Sequence, residues 1–278
     1  KFIMDKYKIR ANKSLGQNFL IDDNVVNEIV EGSNVNKEDL IIEIGPGLGT
    51  LTEFLLEKSQ KVICIELDTR MIQILQDRFS MYSNFELIND DVLKVDLKSL
   101  IKENKKDKIK AVKIVANLPY YITTPIIMKL LEERLEIESI TVMVQKEVAD
   151  RLVAKPGEKN SGAITYAISY FADAEKVLEV PNTSFMPAPE VNSSVIKLNI
   201  LREPSVKVES EKMLFNVIKL AFAQKRKTLL NALTNGKLAN KEEVEKMLID
   251  LNLDLKIRGE KLSLQDFARI ADYMEEKR

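Results

Sequence analysis

Residues 117–120 read Asn117-Leu118-Pro119-Tyr120 and follow directly on the apolar run Ala111-Val112-Lys113-Ile114-Val115-Ala116. At the end of a strand, these four residues set a side-chain amide, a free backbone carbonyl and an aromatic face side by side. Acceptors and a stacking surface are what holds the exocyclic amine of a flat nitrogen heterocycle. Asn and Pro are also turn residues, so the run by itself reads equally well as a plain turn. Its place relative to the other polar strand ends of the chain decides between the two.

Three such ends precede it. Glu43-Ile44-Gly45-Pro46-Gly47-Leu48-Gly49-Thr50 follows a first apolar run and opens a helical stretch. Glycines there let the backbone turn sharply and approach a ligand closely. A second apolar run ends in Glu66, about 20 residues beyond Gly45, the place where an acidic side chain accepts the ribose hydroxyls of a nucleoside cofactor. A third run leads into Asn89-Asp90-Asp91-Val92, where a carboxylate is placed to take the amino group of an adenine. Strand ends of an open parallel sheet converge on one crevice, and ligands bind there. A dinucleotide oxidoreductase shares the first two features but has no need of an Asn-Leu-Pro-Tyr turn after the fourth run.

Composition narrows the chemistry. The 278 residues contain no histidine, which removes Ser-His-Asp and Cys-His catalysis and the usual zinc sites, and no metal is expected. Cys64 is the single cysteine and lies inside Val62-Ile63-Cys64-Ile65, so it reads as a buried inert thiol in a reducing, cytoplasmic setting. No stretch approaches the roughly 20 apolar residues that span a bilayer, and the segment Lys1 to Lys6 lacks the apolar core of a secretory signal. The net charge is only −1, yet basic residues gather locally. Lys1, Lys6, Lys8, Arg10 and Lys13 face Asp5 alone, and Lys225-Arg226-Lys227 forms a second cluster. Local basic patches of this kind suit phosphate contacts, although each also reads as ordinary solvated surface.

The elements that must position these groups follow from the hydrophobic pattern. Near-continuous apolar runs at Leu40–Ile44, Val62–Ile65, Phe85–Ile88, Ala111–Ala116 and Ile140–Val144 predict strands buried on both faces. Helical spacing between them, for example Met71, Ile72, Leu75 and Phe79, predicts an α/β fold with a parallel, doubly covered sheet. Runs around Lys176–Leu178 and Ser194–Leu198 predict an antiparallel hairpin at its edge, and Lys102–Lys110 a solvated loop or fraying helix end. After Arg202-Glu203-Pro204, helical patterning takes over at Met213–Gln224, Thr228–Leu233, Lys241–Leu251 and Ser263–Met274, with Ser263 as an N-cap. The expected division is a catalytic domain over 1–203 and a small all-helical domain over 204–278.

Taken together, Gly45-Pro46-Gly47-Leu48-Gly49, Glu66, Asp91 and Asn117-Leu118-Pro119-Tyr120 resemble the class I S-adenosylmethionine-dependent methyltransferases that act on adenine N6. Lys13-Ser14-Leu15-Gly16-Gln17-Asn18-Phe19-Leu20 and Phe185-Met186-Pro187-Ala188-Pro189-Glu190-Val191-Asn192-Ser193-Ser194-Val195 are similar to motifs of the ribosomal RNA adenine dimethyltransferases. Within that family, the stretches Asn117 to Pro125, Ala221 to Leu230 and Arg258 to Ser263 resemble the housekeeping small-subunit branch. Leu118 and the near-neutral charge point away from the antibiotic-resistance branch that modifies large-subunit rRNA. The resemblance implies a Rossmann-like, mostly parallel seven-stranded sheet with a helical C-terminal domain.

The resemblance also implies roles. Gln17, Asn18 and Leu20 contact the cofactor, S-adenosylmethionine, through the N-terminal segment. Gly45 and Gly47 form the loop beneath it, Glu66 binds its ribose, Asp91 its adenine amine, and Asn117 lies near both methyl group and target amine. Leu118 and Pro119 complete the turn, while Tyr120 and Phe185 sandwich the flipped base. Lys13, Lys225, Arg226 and Lys227 are expected to touch RNA. The implied partner is small-subunit rRNA in the pre-ribosomal particle, with the enzyme acting as a monomer, in ribosome biogenesis and without a membrane. Two alternatives stay open: a large-subunit rRNA dimethyltransferase, and a methyltransferase-fold protein that binds nucleic acid as an assembly or transcription factor. A DNA adenine methyltransferase would more usually carry Asp or Asn followed by Pro-Pro-Tyr in the turn.

Overall fold

The computed structural model describes residues 2–12, 16–224 and 226–277. Strands are β1 (Phe19–Leu20), β2 (Asp39–Ile44), β3 (Lys61–Glu66), β4 (Phe85–Asn89), β5 (Ala111–Asn117), β6 (Ser139–Gln145), β7 (Ala172–Val180), β8 (Phe185–Met186) and β9 (Ser193–Ile200). Helices are α1 (Phe2–Lys6), α2 (Asp23–Gly32), α3 (Thr50–Lys58), α4 (Thr69–Phe79), α5 (Leu97–Asn104), α6 (Thr123–Glu132), α7 (Lys146–Leu152), α8 (Ala163–Phe171), α9 (Glu211–Ala223), α10 (Leu229–Asn235), α11 (Lys241–Asp250) and α12 (Leu264–Glu276).

Seven of the strands form one sheet in the order β4-β3-β2-β5-β6-β9-β7. The pairs β2/β3, β2/β5, β3/β4 and β5/β6 are parallel, and β9 runs antiparallel to β6. This is the expected mostly parallel sheet, and the order reverses at β2, the first strand of the α/β run. At that switch point, the loops after β2 and β5 diverge and leave a crevice at the strand ends. The central strands are mostly apolar because helices cover both faces; β2 is buried at every position, Asp39 and Glu43 included. Within β5, Lys113 is a buried charge. Its ammonium meets the Asp39 carboxylate on β2 at 2.8 Å and the Asn34 carbonyl at 2.6 Å, which satisfies a charge that is otherwise costly to bury.

Two compact units are distinguished: Lys1–Ala149 with Ala174–Ile200, and Asp150–Asp173 with Leu201–Arg278. A single cut at residue 203 leaves out the membership of 150–173 in the helical unit. Tyr166 on α8 explains it, because its ring meets Phe222 and Phe267 at 5.1 and 5.0 Å and its hydroxyl donates to the Leu262 carbonyl at 2.6 Å. Within the helical unit, Ser263 caps α12 as its sequence predicts. Its hydroxyl accepts from the Asp266 amide at 3.1 Å, and the Asp266 carboxylate accepts from the Ser263 amide at 3.0 Å.

The first unit contains a second, small sheet that the sequence pattern does not disclose. β1 pairs antiparallel with β8, with Phe19 opposite Met186 and Leu20 opposite Phe185. The Ser184 hydroxyl donates to the Asp22 carboxylate at 3.0 Å beside it. This ladder brings together the two motifs that flank the catalytic unit in sequence.

Candidate active site

The crevice at the switch point is lined by the segment 16–20, the glycine loop after β2, the end of β3 and the turn after β5. Asn18, Leu20, Gln17, Gly45, Gly47, Glu66, Asn117, Leu118, Pro119 and Tyr120 all contribute to its wall. Residues far apart in the chain therefore meet in one cavity, as the sequence predicts.

The glycine loop is built for close approach. Gly45 and Gly47 take φ of +66° and +56°, the left-handed region that side chains rarely enter. A Cβ at Gly45 would find only the Asn117 carbonyl, 3.9 Å away, so that position opens toward the cavity. The Gly47 amide donates to Glu66 Oε2 at 3.1 Å, and the Asp68 amide donates to Oε1 at 2.8 Å. Glu66 thus ties the loop after β2 to the loop after β3, while each oxygen keeps lone-pair capacity for a ligand. The residue is 7% exposed, and burial raises its pKa against the pull of those two amides.

Glu43 is a functional candidate for which the sequence offered no role. It sits two residues before Gly45, is 1% exposed and lines the cavity floor. The Thr52 hydroxyl donates to its Oε2 at 2.6 Å, and the Cys64 thiol does so at 3.4 Å. Burial pushes its pKa to about 7, with the Thr52 and Cys64 bonds opposing and the Glu66 charge adding. Cys64 itself is fully buried and its thiol is raised well above its ordinary range, chiefly by burial, in keeping with an inert role. Among the described residues, no cation pairs with Glu43 or Glu66. Two acidic side chains thus stand in the cavity wall with no described cation beside them, and Glu43 answers its burial by keeping its proton.

This arrangement carries a pH prediction. Native Glu43 holds its proton up to about 7, whereas the unfolded chain releases it near 4.5. The folded state therefore binds more protons across that window, and stability falls as pH rises through it. The loss is on the order of 3 kcal/mol for this group. Thermal melts from pH 5 to 8 are expected to show a falling Tm, with a shallower fall in Glu43→Gln. An identical slope in the variant would remove Glu43 as the cause.

The N-terminal segment is pinned beside the cavity by a residue the sequence also left unmarked. Asp68 N-caps α4, accepts from Gln17 Nε2 at 2.8 Å and pairs with the Arg70 guanidinium at 2.5 Å. Those bonds, Arg70 first, hold its carboxyl below the usual range. Gln17 in turn accepts from the Asn12 amide at 2.9 Å. An Asp two residues after a strand-terminal Glu and just before a helical stretch is the signal that would have found it.

In the turn after β5, Asn117 remains in register with β6, and the Leu118 amide donates to the Met143 carbonyl at 3.3 Å. The Pro119 carbonyl is taken by the Ile122 amide and the Thr123 hydroxyl, both at 3.2 Å. Neither the Asn117 side chain nor the Leu118 carbonyl accepts or donates a hydrogen bond among the described residues, so both are available at the cavity. The Tyr120 hydroxyl lies 2.8 Å from Ser193 Oγ on β9, which fixes the half-buried ring in the wall. Ser193 thereby gives a positioning task to the end of the motif that starts at Phe185.

Other expected residues lie elsewhere. Phe185 does not line the cavity: it is 3% exposed and packs with Phe19, Leu20, Val180 and Val195 in the core. Phe185 stands opposite Leu20 in the β1/β8 ladder, and Leu20 lines the cavity. Asp91 sits just beyond β4, outside the cavity lining, and accepts from the Leu93 amide at 3.0 Å. Asn89 bonds the Glu66 carbonyl at 2.8 Å and joins the ends of β3 and β4. Arg226 and Lys227 are exposed on the turn between α9 and α10, while Lys13 and Lys225 lie outside the described residues. Among the described residues, there is no cluster of metal-ligating side chains, and no helix is long and apolar enough to cross a membrane.

Known proteins share both the sequence and the fold. The chain is 49% identical over 271 residues to a ribosomal RNA small subunit methyltransferase A from Alkaliphilus metalliredigens, covering 97% of this chain and 94% of that protein. It is 47% identical to the protein of the same name from Bacillus licheniformis, covering 99% and 95%. Among solved structures, a dimethyladenosine transferase from Plasmodium falciparum superposes with a TM-score of 0.75 at 28% identity, over 91% of this chain and 95% of that one. The 23S rRNA methyltransferase ErmE shares the fold, with a TM-score of 0.68 at 23% identity over 93% of this chain and 100% of that one. The sequence profile of the ribosomal RNA adenine dimethylases matches residues 8–276, which includes every part of the cavity wall. The cavity with its free amide and carbonyl is thus carried by a chain that belongs to the ribosomal RNA adenine dimethylase family.

Proposed function

We propose that the chain transfers methyl groups from S-adenosylmethionine to the N6 amines of two adjacent adenosines near the 3′ end of small-subunit rRNA, yielding N6,N6-dimethyladenosine. The observation that carries this reading is the unpartnered Asn117 amide and Leu118 carbonyl in the same cavity as Glu66 and the glycine loop. The cofactor fits the residues present. Glu66 has acceptor capacity for ribose hydroxyls, and Gly45 leaves room for a ligand chain.

When bound, the cofactor supplies an electrophilic methyl group on its sulfonium. The protein's task concerns the nucleophile, because the lone pair of adenine N6 is delocalised into the ring. The Asn117 side-chain oxygen and the Leu118 carbonyl accept from the amine and shift that pair toward the methyl group. Tyr120, held by Ser193, stacks on the extruded base and replaces part of what it lost by leaving the strand. No general base is needed: N6 becomes acidic once alkylated, and its proton passes to solvent. The rate enhancement rests on positioning donor and acceptor in line. A singly methylated amine keeps one proton and satisfies one of the two acceptors. Anchoring by stacking lets the base return for the second transfer.

The helical unit is proposed to dock structured RNA through Arg226, Lys227 and the neighbouring Lys225. Replacing Arg226 and Lys227 by Glu is expected to weaken binding to undermethylated small subunits. The slope of log K against log salt should fall by about 0.7 for each phosphate that is no longer neutralised. An unchanged slope would leave the cluster as solvated surface. The proposed setting is the cytoplasm, on the pre-ribosomal small subunit. The overall reading is tested by incubating the protein with labelled cofactor and undermethylated small subunits and mapping the modified bases. Label on two adjacent dimethyladenosines is expected; label that stops at monomethyladenosine with cofactor in excess, or no label on the small subunits, would refute it.

A further inference from the structure

Two consecutive tyrosines leave the turn after β5 with different fates. Tyr120 is half-buried and anchored to Ser193. Tyr121 also lines the cavity but is 59% exposed at its rim. The Cδ1–Cε1 edge of its ring lies against Gly16, where a Cβ would stand 3.2 and 3.5 Å from those atoms. Gly16 holds φ at +59°, so the N-terminal segment passes the ring as bare backbone at a position other residues rarely adopt. The ring is thus held at the cavity mouth with most of its surface open.

An exposed tyrosine needs no explanation by itself. Its location does, because the rim is crossed by whatever strand delivers the target. Drawing one base out of a strand uncovers a face of the base beside it. Aromatic rings take up such faces irrespective of base identity, since every base presents a π surface. We propose that Tyr121 is a stacking platform for the nucleobase that flanks the target adenosine, and so a positioning residue for the RNA strand. The inference rests on the rRNA methylation proposed above and deepens it: Tyr120 receives the target, and Tyr121 receives its neighbour. For a substrate with two adjacent targets, the neighbour on the platform is the other target, kept at the mouth while the first is modified.

The test compares Tyr121→Ala, Tyr121→Leu and Tyr121→Phe as full chains acting on undermethylated small subunits, with each target adenosine quantified separately. Ala and Leu are expected to raise the KM for subunits about tenfold, with kcat within about twofold of the wild-type chain; Phe should stay within about twofold in both. Titration with S-adenosylmethionine alone is expected to give the same Kd for all four proteins. Leu restoring KM as well as Phe would show that any apolar cover serves, and would overturn the proposal. So would an unchanged KM in Ala. A loss of cofactor affinity in Ala equal to its rise in KM would also overturn it, assigning the ring to packing the Gly16 segment. Failure of the wild-type chain to methylate these subunits would instead refute the reading on which the proposal rests.

Discussion

Asn117→Ala is expected to lower the rate of methyl transfer by about 10²–10³-fold at saturating cofactor, equivalent to roughly 2.7–4 kcal/mol, by comparison with removal of one preorganised polar group at a reacting centre. The side chain here accepts rather than donates, but the physical basis is the same: a dipole fixed before the reaction stabilises charge as it develops. Asn117 has no side-chain partner among the described residues, so its truncation breaks no structural bond, and the last β5–β6 rung is made by backbone. Folding stability should therefore change little. Cofactor affinity should change less than turnover, because Glu66 and the glycine loop remain. Single-turnover kinetics at saturating cofactor check this, and a near wild-type rate would show that Asn117 does not polarise the amine.

Glu66→Ala is expected to weaken S-adenosylmethionine binding by about 100-fold, through loss of charge-assisted bonds each worth about 1.5–3 kcal/mol. It should also lower stability, which the residue's position at a strand end does not by itself foretell. Its two oxygens serve the Gly47 and Asp68 amides. Removing them leaves two loop donors to water and costs about 1–3 kcal/mol. Isothermal calorimetry on the folded variant measures the first effect and denaturant unfolding the second. Full cofactor affinity in a folded Glu66→Ala protein would exclude the carboxylate as a ligand. Glu66→Gln should fall between, since it keeps one acceptor but turns an amide NH₂ on the other donor.

Much of the catalytic unit was legible in the chain because its signals are local. A strand covered on both faces is mostly apolar, so Leu40–Ile44 announces a strand observed at Asp39–Ile44. Polar groups at the ends of β2, β3 and β5 then fall in one crevice by the geometry of a parallel sheet, whereas Asp91 after β4 stays outside its lining. The Ser263 cap was equally readable, since donor and acceptor lie three residues apart. β7 was only partly legible: its apolar centre at Lys176–Leu178 marks a strand that extends over Ala172–Val180, with many exposed positions that weaken any pattern.

Tertiary structure decided what depends on partners distant in sequence. The pairing of Leu20 with Phe185 joins two-residue strands that carry no periodicity, and only the folded chain shows Phe185 buried and Tyr120 in the cavity wall. Lys113 is an odd charge in an apolar run until Asp39 appears 2.8 Å away on the neighbouring strand. The grouping of 150–173 with the helical unit rests on Tyr166 meeting Phe222, Phe267 and Leu262. The state of Glu43 depends on burial and on its distance to Thr52, Cys64 and Glu66, none of which sequence spacing specifies. Residue types and strand periodicity determined which chemistry this chain carries and at which sheet ends, because they act within a few residues. Register, burial and the company each side chain keeps were settled only by folding, because they are set by packing across the whole chain.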